Sequence, residues 1–206
     1  MPSYKLYYFP VRGRADAIRM IFHHSGVEFE DHGVAMDEWA KKKPHTPFGF
    51  MPILCVDDKC YAEATPIARY VGEKYGLGGR TAEDKLFMDS ICDATTDIML
   101  AMLKPTYAMT PEQRRAYFAG KKAEFAELFR FIERQLSNHS GPFLTGSSVV
   151  WADFILYGYW NICVHFMAND VFDQTPSIKK HYTAMTQMPT MKSFIEKTKS
   201  VPTYPF

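Results

Sequence analysis

Hydrophobic and polar positions follow two different periods along this chain. Residues 4–9 are rich in strand-forming side chains, and residues 27–30 alternate between apolar and acidic positions, so each segment predicts a β-strand. Between them, apolar residues recur at helical spacing over residues 15–25 and predict a helix. Residues 36–50 combine Pro, Gly and charge without either period. They predict a long irregular connection, which in a compact domain is often functional.

A hairpin and a helix are predicted next. Residues 52–56 and 59–62 favour two strands around an Asp-Asp turn. The apolar spacing that follows predicts a helix with Thr65 as its cap and Pro66 as its first residue. A helix that begins directly after a strand offers free N–H groups and the positive end of its dipole, which favour an anion.

Beyond Gly78 and Gly79 the strand period disappears and only helical spacing remains. Thr110 and Ser177 are plausible caps for two of the predicted helices. The predicted helices span residues 82–108, 111–137, 151–168, 177–187 and 190–199. The expected fold class is therefore α/β plus all-α, with a small mixed domain at residues 1–79 and an all-helical domain at residues 82–206.

Composition and charge narrow the class of protein. Of 206 residues, 47% are hydrophobic and 15% aromatic, which is enough for a real core. The net charge of +1 gives no sign of a nucleic-acid or acidic-membrane partner. No window approaches the ~20 apolar residues that span a bilayer, and the first residues lack an apolar signal core. A soluble, cytoplasmic protein is expected.

The four cysteines are Cys55, Cys60, Cys92 and Cys163. None forms a C-x-x-C pair, and no Cys/His cluster has zinc spacing, so neither a thioredoxin-type redox centre nor a metal site is predicted. Cys55 and Cys60 flank the predicted hairpin turn as ordinary strand residues. Without a signal peptide, all four thiols are expected to be reduced.

Several polar side chains are candidates for chemistry. Tyr8 ends a strand and faces the start of a helix across residues 10–13, with Arg12 and Arg14 nearby. Its hydroxyl would then donate a hydrogen bond to an anion. Tyr8 is equally well interpreted as a half-buried strand aromatic. Trp39 and Lys43 together offer an N–H donor and a cation to a carboxylate, although a lone loop tryptophan more often anchors its loop.

Two further positions are suggestive and individually weak. A cis peptide bond at Met51-Pro52 would turn the Met51 backbone outward, ready to pair with an extended peptide, although most bonds before proline are trans. Glu63 would suit an ammonium group, or it is a solvated surface acid.

Taken together, the motifs resemble cytosolic glutathione transferases, and the sigma class most closely. The resemblance covers essentially the whole chain, in order: MPSYKLYYF, GRADAIR, EDH, Trp39, Lys43, PFG at 47–49, MPIL at 51–54, IARY at 67–70 and VVWADF at 149–154. It implies a thioredoxin-like N-terminal domain that binds glutathione, an all-helical C-terminal domain, and a homodimer. Glutathione would be a co-substrate, with no permanently bound cofactor.

The resemblance also implies roles for individual residues. Tyr8 would hydrogen-bond the glutathione sulfur and favour its thiolate, with Arg14 in support. Trp39 and Lys43 would hold the glycine carboxylate, and Met51 would pair with the cysteinyl backbone. The implied glutathione site comprises Tyr8, Arg14, Trp39, Lys43, Gly49, Phe50, Met51, Pro52, Glu63, Ala64, Thr65 and, across the dimer, Asp97. Apolar candidates for the second-substrate pocket are Phe9, Val11, Met99, Leu103, Ile155 and Tyr159.

Three positions depart from the family pattern. Glu63-Ala64 replaces Gln-Ser; Glu63 suits the γ-glutamyl ammonium, but Ala64 lacks the hydroxyl that binds the γ-glutamyl carboxylate, unless Thr65 substitutes for it. Phe50 stands where relatives often carry a polar residue. Val150 cannot cap the helix that begins near Trp151, so Ser147 or Ser148 is expected to shift its start or a cap is lost.

Two functions follow from these residues. The first is conjugation of glutathione to small hydrophobic electrophiles, with isomerase or peroxidase activity left open. The alternative is a non-catalytic or weakly active ligand-binding relative with reduced affinity for glutathione, which Ala64 favours and the intact Tyr8 disfavours.

Overall fold

The computed structural model describes residues 2–106, 108–167 and 172–202. Its sheet has four strands in the order β2-β1-β3-β4. The first two strands run parallel, and the other two neighbouring pairs are antiparallel. The strands are β1 (Tyr4–Tyr8), β2 (Glu30–Gly33), β3 (Ile53–Val56) and β4 (Lys59–Ala62).

In the described residues the other elements are helices, and every element from Ala82 onward is helical. The α-helices are α1 (Asp16–His24), α2 (Met36–Lys42), α3 (Ala64–Lys74), α4 (Ala82–Leu103), α5 (Pro111–Ser137), α6 (Trp151–Met167), α7 (Pro176–Gln187) and α8 (Pro189–Thr198). Short 3-10 helices follow α2 and α4, at Lys43–His45 and Lys104–Thr106. The expectation of a mixed domain followed by an all-helical domain is confirmed.

One face of the sheet carries the main core of the N-terminal part. Alternate residues of β1 are buried, and Leu6 and Leu54 share a hydrophobic cluster with Ile18 of α1 and Val71 of α3. The opposite face has a smaller cluster that includes Ile53 and two other small side chains. The period-2 alternation of the strands therefore directs one set of side chains toward α1 and α3.

Two predictions from the pattern were wrong between residues 27 and 50. The second strand lies at Glu30–Gly33 rather than 27–30, because its position is set by pairing with β1, with Lys5 opposite Glu30. Residues 36–50 are not wholly irregular, since α2 and a 3-10 helix occupy the first part. Helix α2 buries none of its residues, so it has no apolar stripe to detect. The sequence feature that indicates this helix is its charge order, with acidic residues in the first turn and basic residues in the last turn.

Helix starts differ from expectation in two places. Helix α3 begins at Ala64, and Thr65 lies inside it, because Glu63 adopts φ 78° and turns the chain straight from β4 into the helix. Ser177 is the second residue of α7 rather than its cap, and its N–H donates to the Glu133 carboxylate at 2.8 Å. Thr110 caps α5 as predicted, accepting from the Gln113 N–H.

Val150 precedes α6 and has no side-chain oxygen to cap it, but a carboxylate in the first turn binds the backbone before the helix. The helix begins at Trp151, so Ser147 and Ser148 do not shift it. The Asp153 carboxylate accepts from the Val150 N–H at 2.7 Å and from the Leu144 N–H at 2.9 Å. His181 Nε2 of α7 lies 3.0 Å from the same carboxylate. Asp153 therefore supplies the reciprocal half of a capping box, because it accepts from the backbone before the helix, while Val150 offers no side-chain oxygen to the first turn.

Helix α6 also joins the two halves of the chain, since it packs against α1 and α3 as well as α4, α5 and α7. Gly72 of α3 makes this approach possible, because a Cβ there would lie 2.2 Å from the Trp151 Cβ. The Trp151 N–H also donates to the Leu77 carbonyl at 2.9 Å.

The expectation of four reduced thiols is wrong. Cys55 and Cys60 form a disulfide, because the β3–β4 register places them directly opposite each other. Cys92 and Cys163 are free and buried, and burial raises the pKa of each thiol.

Within the described ranges, no helix combines the length and the apolar character needed to cross a bilayer. In the same residues, no group of three or more His, Cys, Asp or Glu side chains is placed to hold a metal ion.

Candidate active site

Strand register brings three of the candidate segments to one end of the sheet. Tyr7 of β1 pairs with Ile53, and Ile53 pairs with Ala62 of β4. The residues next to these pairs are Tyr8, Pro52 and Glu63. The end of β1, the start of β3 and the start of α3 are therefore neighbours, although more than 40 residues separate Tyr8 from Pro52.

Tyr8 lies at the centre of this end of the sheet. Its side chain is 4% exposed, and its hydroxyl oxygen accepts a hydrogen bond from the Arg14 backbone N–H at 3.3 Å. The chain between them is folded back on itself, since the Val11 N–H donates to the Phe9 carbonyl at 2.7 Å. Arg14 therefore contacts Tyr8 through its backbone, and its side chain lines a separate cleft described below.

A buried ion network that the sequence did not predict holds this loop. The Arg19 guanidinium, 9% exposed, makes two hydrogen bonds to the Asp31 carboxylate, at 2.7 and 3.2 Å. It also donates to the Val11 carbonyl at 3.0 Å and to Asp16 at 3.2 Å. Asp16 pairs with Arg12 as well. The network ties the loop after β1 to α1 and to β2.

Electrostatics explain why Arg19 stays charged there. Burial disfavours the charge, but hydrogen bonds and charge attraction from Asp31 and Asp16 outweigh it, so the pKa of Arg19 is raised. Its guanidinium carbon also lies 5.7 Å from the centre of the Tyr8 ring, a cation–π distance. The helical spacing of Asp16 and Arg19 on the buried side of α1 was the sequence feature that would have revealed this pair.

The segment proposed for the glycine carboxylate lies beside the loop after β1. Trp39 is partly buried and packs edge-on against Phe9, with ring centres 6.0 Å apart. Lys43 is exposed, and its Cε would lie 3.5 Å from a Cβ at Gly49, so its stem runs close to that glycine. Thr46 fastens the loop by donating to the Lys43 carbonyl at 2.8 Å and accepting from the Gly49 N–H at 3.0 Å.

The Met51-Pro52 bond is cis, as the resemblance implied. Met51 is partly buried and Pro52 is buried, whereas the Phe50 side chain before them is 62% exposed. Phe50 therefore presents an apolar ring at the surface, where it adds no polar group to the site.

The start of α3 has the properties of an anion site. No side chain caps the helix, and helix geometry leaves the Ala64 and Thr65 N–H groups without an intrahelical acceptor. Pro66 has no N–H to satisfy. Glu63 is exposed and holds a positive φ, which costs a non-glycine residue about 1–3 kcal/mol and is typical of ligand-binding positions. Ala64 is buried at 7% exposure.

Part of the predicted second-substrate pocket forms a narrow cleft of about 20 Å³ between the loop after β1, α4 and α6. Met99, Leu103 and Tyr159 line it together with Arg14 and Thr96. The Tyr159 hydroxyl lies 3.1 Å from the Thr96 hydroxyl, which holds the ring across the cleft. Burial is the main reason that the pKa of Tyr159 is raised.

The other three candidates for this pocket lie outside the cleft lining. Val11 and Ile155 are buried in the hydrophobic core, and Phe9 packs between Tyr8 and Trp39. Asp97 is exposed on α4.

Comparisons with known proteins agree with this arrangement. Residues 2–73 match the glutathione S-transferase N-terminal domain, and residues 95–198 match the C-terminal domain of the same family. The chain is 31% identical to glutathione S-transferase 1 of Ascaris suum over 211 residues, covering 98% of this chain and 100% of that one. It is 33% identical to hematopoietic prostaglandin D synthase of Gallus gallus over 201 residues, covering 96% and 97%.

A solved structure shows the same architecture. The glutathione S-transferase of Ascaris lumbricoides superposes with a TM-score of 0.84 at 30% identity, covering 100% of both chains. With its mixed four-stranded, thioredoxin-like N-terminal domain and its helical C-terminal domain, the chain belongs to the glutathione S-transferase family.

Proposed function

We propose that this protein is a sigma-class glutathione transferase that conjugates the glutathione thiolate to small hydrophobic electrophiles, with isomerase or peroxidase chemistry as further activities of the same site. The observation that carries the proposal is the buried Tyr8 hydroxyl, held at the end of β1 by the Arg14 N–H at 3.3 Å. A fixed donor at that position suits a sulfur nucleophile that must be ionised to react.

In this proposal the glutathione backbone lies across the end of the sheet. Trp39 and Lys43 hold the glycine carboxylate, and the Met51 backbone pairs with the cysteinyl residue. The Ala64 and Thr65 N–H groups at the start of α3 donate hydrogen bonds to the γ-glutamyl carboxylate, and the Glu63 carboxylate pairs with the γ-glutamyl ammonium. The Tyr8 hydroxyl donates to the sulfur, so the thiolate is favoured and attacks the electrophilic carbon in the cleft beside Arg14.

A homodimer is part of the proposal, with Asp97 reaching the partner's γ-glutamyl ammonium. An exposed apolar groove of about 720 Å³ along β4 and α3 supports it, since exposed patches of this kind mark interaction surfaces. Its lining includes three exposed aromatic residues, Phe48, Tyr61 and Tyr70. We place the protein in the cytoplasm.

Two observations favour the second candidate, a ligand-binding relative with weak conjugation. Ala64 lacks the expected hydroxyl, so we expect glutathione affinity in the high micromolar range or weaker. The cleft of about 20 Å³ is also too small for most electrophiles without movement of Tyr159. Isothermal titration with glutathione and a steady-state panel of electrophiles separate the two candidates.

The test of the conjugation proposal is Tyr8→Phe, with Tyr7→Phe as the matched control. Tyr7 lies one residue earlier and stacks on His32 on the other face of the sheet, with ring centres 4.8 Å apart. Losing a hydrogen bond to a charged group costs about 1.5–3 kcal/mol. Since one pKa unit is 1.36 kcal/mol, the thiol pKa of bound glutathione should rise by roughly one to two units in Tyr8→Phe.

Turnover of a chloronitrobenzene at neutral pH should fall in proportion to the thiolate fraction, and Tyr7→Phe should retain the parent rate. The thiolate is followed by its ultraviolet absorbance during a pH titration. Equal turnover and equal thiol pKa in Tyr8→Phe and the parent would remove Tyr8 from the mechanism.

A further inference from the structure

The Arg19 guanidinium lies over the ring of the residue on which the proposed chemistry depends. Its carbon is 5.7 Å from the centre of the Tyr8 ring, and both residues are buried. A charge that is shielded from water acts on its neighbours with far less screening than a surface charge does. Arg19 is therefore placed to affect what the Tyr8 side chain does, in addition to holding the loop after β1.

The two carboxylates that pair with Arg19 neutralise it only in part. The Asp31 side chain is 39% exposed, so solvent screens much of its charge. The Asp16 carboxylate is buried but pairs with both Arg19 and Arg12. The three groups that are shielded from solvent, two guanidinium groups and one carboxylate, therefore sum to a single positive charge.

A positive charge beside the Tyr8 ring matters most when the hydroxyl binds an anion. A phenol that donates a hydrogen bond to a thiolate takes up part of the negative charge of the sulfur, and that charge spreads into the ring. A buried cation close to the ring stabilises this ionised state more than the state with a neutral thiol. The thiolate of bound glutathione is therefore favoured at a lower pH than it would be without the cation.

We propose that Arg19 is a positioning residue for the conjugation reaction, and that its charge, acting through the Tyr8 ring, strengthens the hydrogen bond from the Tyr8 hydroxyl to the glutathione thiolate. The inference rests on the proposed function, because it needs Tyr8 to bind the sulfur. Two hydrogen bonds to Asp31 and one to the Val11 carbonyl hold the guanidinium at the ring. A purely structural role for Arg19 would depend on these same bonds, so the test must separate charge from structure.

Two substitutions make that separation, because both break the pair between Arg19 and Asp31 but they remove opposite charges. In Arg19→Gln, the thiol pKa of bound glutathione should rise by about 0.5–1 unit, less than the roughly 1–3 units that an unpaired cation in contact produces. In Asp31→Asn, the thiol pKa should equal that of the parent or lie below it, since the remaining cation is less neutralised. A loop that is merely loosened would raise the thiol pKa in both variants.

The thiolate of glutathione, added at a saturating concentration, is followed by its ultraviolet absorbance during a pH titration of each variant. Arg19→Lys is the conservative control, because it keeps the charge but loses the paired hydrogen bonds of the guanidinium. We expect Arg19→Lys to lower Tm and to keep the thiol pKa of the parent. If Arg19→Gln does not fold, Asp31→Asn decides alone, and a raised thiol pKa there would overturn the proposal.

A double-substitution cycle tests whether Arg19 acts through Tyr8. In the Tyr8→Phe background, Arg19→Gln should leave the thiol pKa where Tyr8→Phe alone has placed it. An equal rise for Arg19→Gln in both backgrounds would overturn the proposal, and so would equal thiol pKa values in Arg19→Lys and Arg19→Gln. No change of thiol pKa in Tyr8→Phe itself would count against the proposed function, whereas a change in Tyr8→Phe without one in Arg19→Gln would remove only the role of Arg19.

Discussion

Replacing Ala64 with serine should restore the one hydroxyl that the site at the start of α3 lacks. The structure leaves the Ala64 and Thr65 N–H groups for the γ-glutamyl carboxylate, and no side chain caps the helix. A hydroxyl added to the buried Ala64 position would make a further hydrogen bond to a charged ligand group, worth about 1.5–3 kcal/mol. At 1.4 kcal/mol per tenfold, Ala64→Ser should lower the Kd for glutathione by roughly 10- to 150-fold.

Isothermal titration measures the change, with S-methylglutathione as the ligand, because its blocked sulfur keeps thiol reactions out of the binding heat. Thr65→Val is the companion variant, since it removes the neighbouring hydroxyl with little change of shape. Weaker binding in Thr65→Val together with unchanged binding in Ala64→Ser would show that Thr65 already supplies the hydrogen bond. If neither variant changes the Kd by more than about twofold, far less than the roughly tenfold change expected from one such hydrogen bond, the carboxylate does not lie at this helix end.

Three further perturbations, each with its own control, test other parts of the structure. Tyr159→Leu should raise kcat/KM for bulky electrophiles relative to small ones, because the ring that crosses the cleft is lost; Tyr159→Phe keeps the bulk and should leave that ratio unchanged. Gly72→Ala should cost at least about 2 kcal/mol, since its Cβ would lie 2.2 Å from the Trp151 Cβ, and lower Tm by roughly 4–8 °C. Gly120→Ala, in open space on α5, should leave Tm equal or higher, and equal losses in both variants would contradict the packing argument. Reducing the Cys55–Cys60 disulfide, which closes a short loop, should lower the free energy of unfolding by about 2 kcal/mol. Thermal unfolding with and without reductant checks this, because Cys60→Ser should no longer respond to reductant.

Much of the fold could be read from the sequence because its strands and long helices have strong periods. Helix α5 was predicted at its observed bounds, since Thr110 and Pro111 mark its start chemically. Helix α2 was missed because all of its residues remain accessible, so burial imposes no apolar stripe on them. The true start of α3 depends on the positive φ of Glu63. Tertiary context sets this angle, and the residue type does not predict it.

The candidate site was predicted in part for a similar reason. Motif order identified Tyr8 and the Met51-Pro52 segment, whereas the Arg19 network needs the pairing of β1 with β2 to bring Asp31 close. The Cys55–Cys60 disulfide depends in the same way on the register of β3 and β4. Spacing of five residues around a turn permits such a bond, but only pairing without a bulge places both sulfurs on one face.

The close approach of Gly72 to Trp151 limits how this protein can be recombined with its relatives. Exchanging the C-terminal half between family members is an obvious route to new substrate preferences. At this contact a helix backbone from one half lies against the indole of the other, and even a methyl group does not fit between them. A chimera that brings a larger residue to position 72 while keeping the indole at position 151 would therefore have to separate the two halves at this contact.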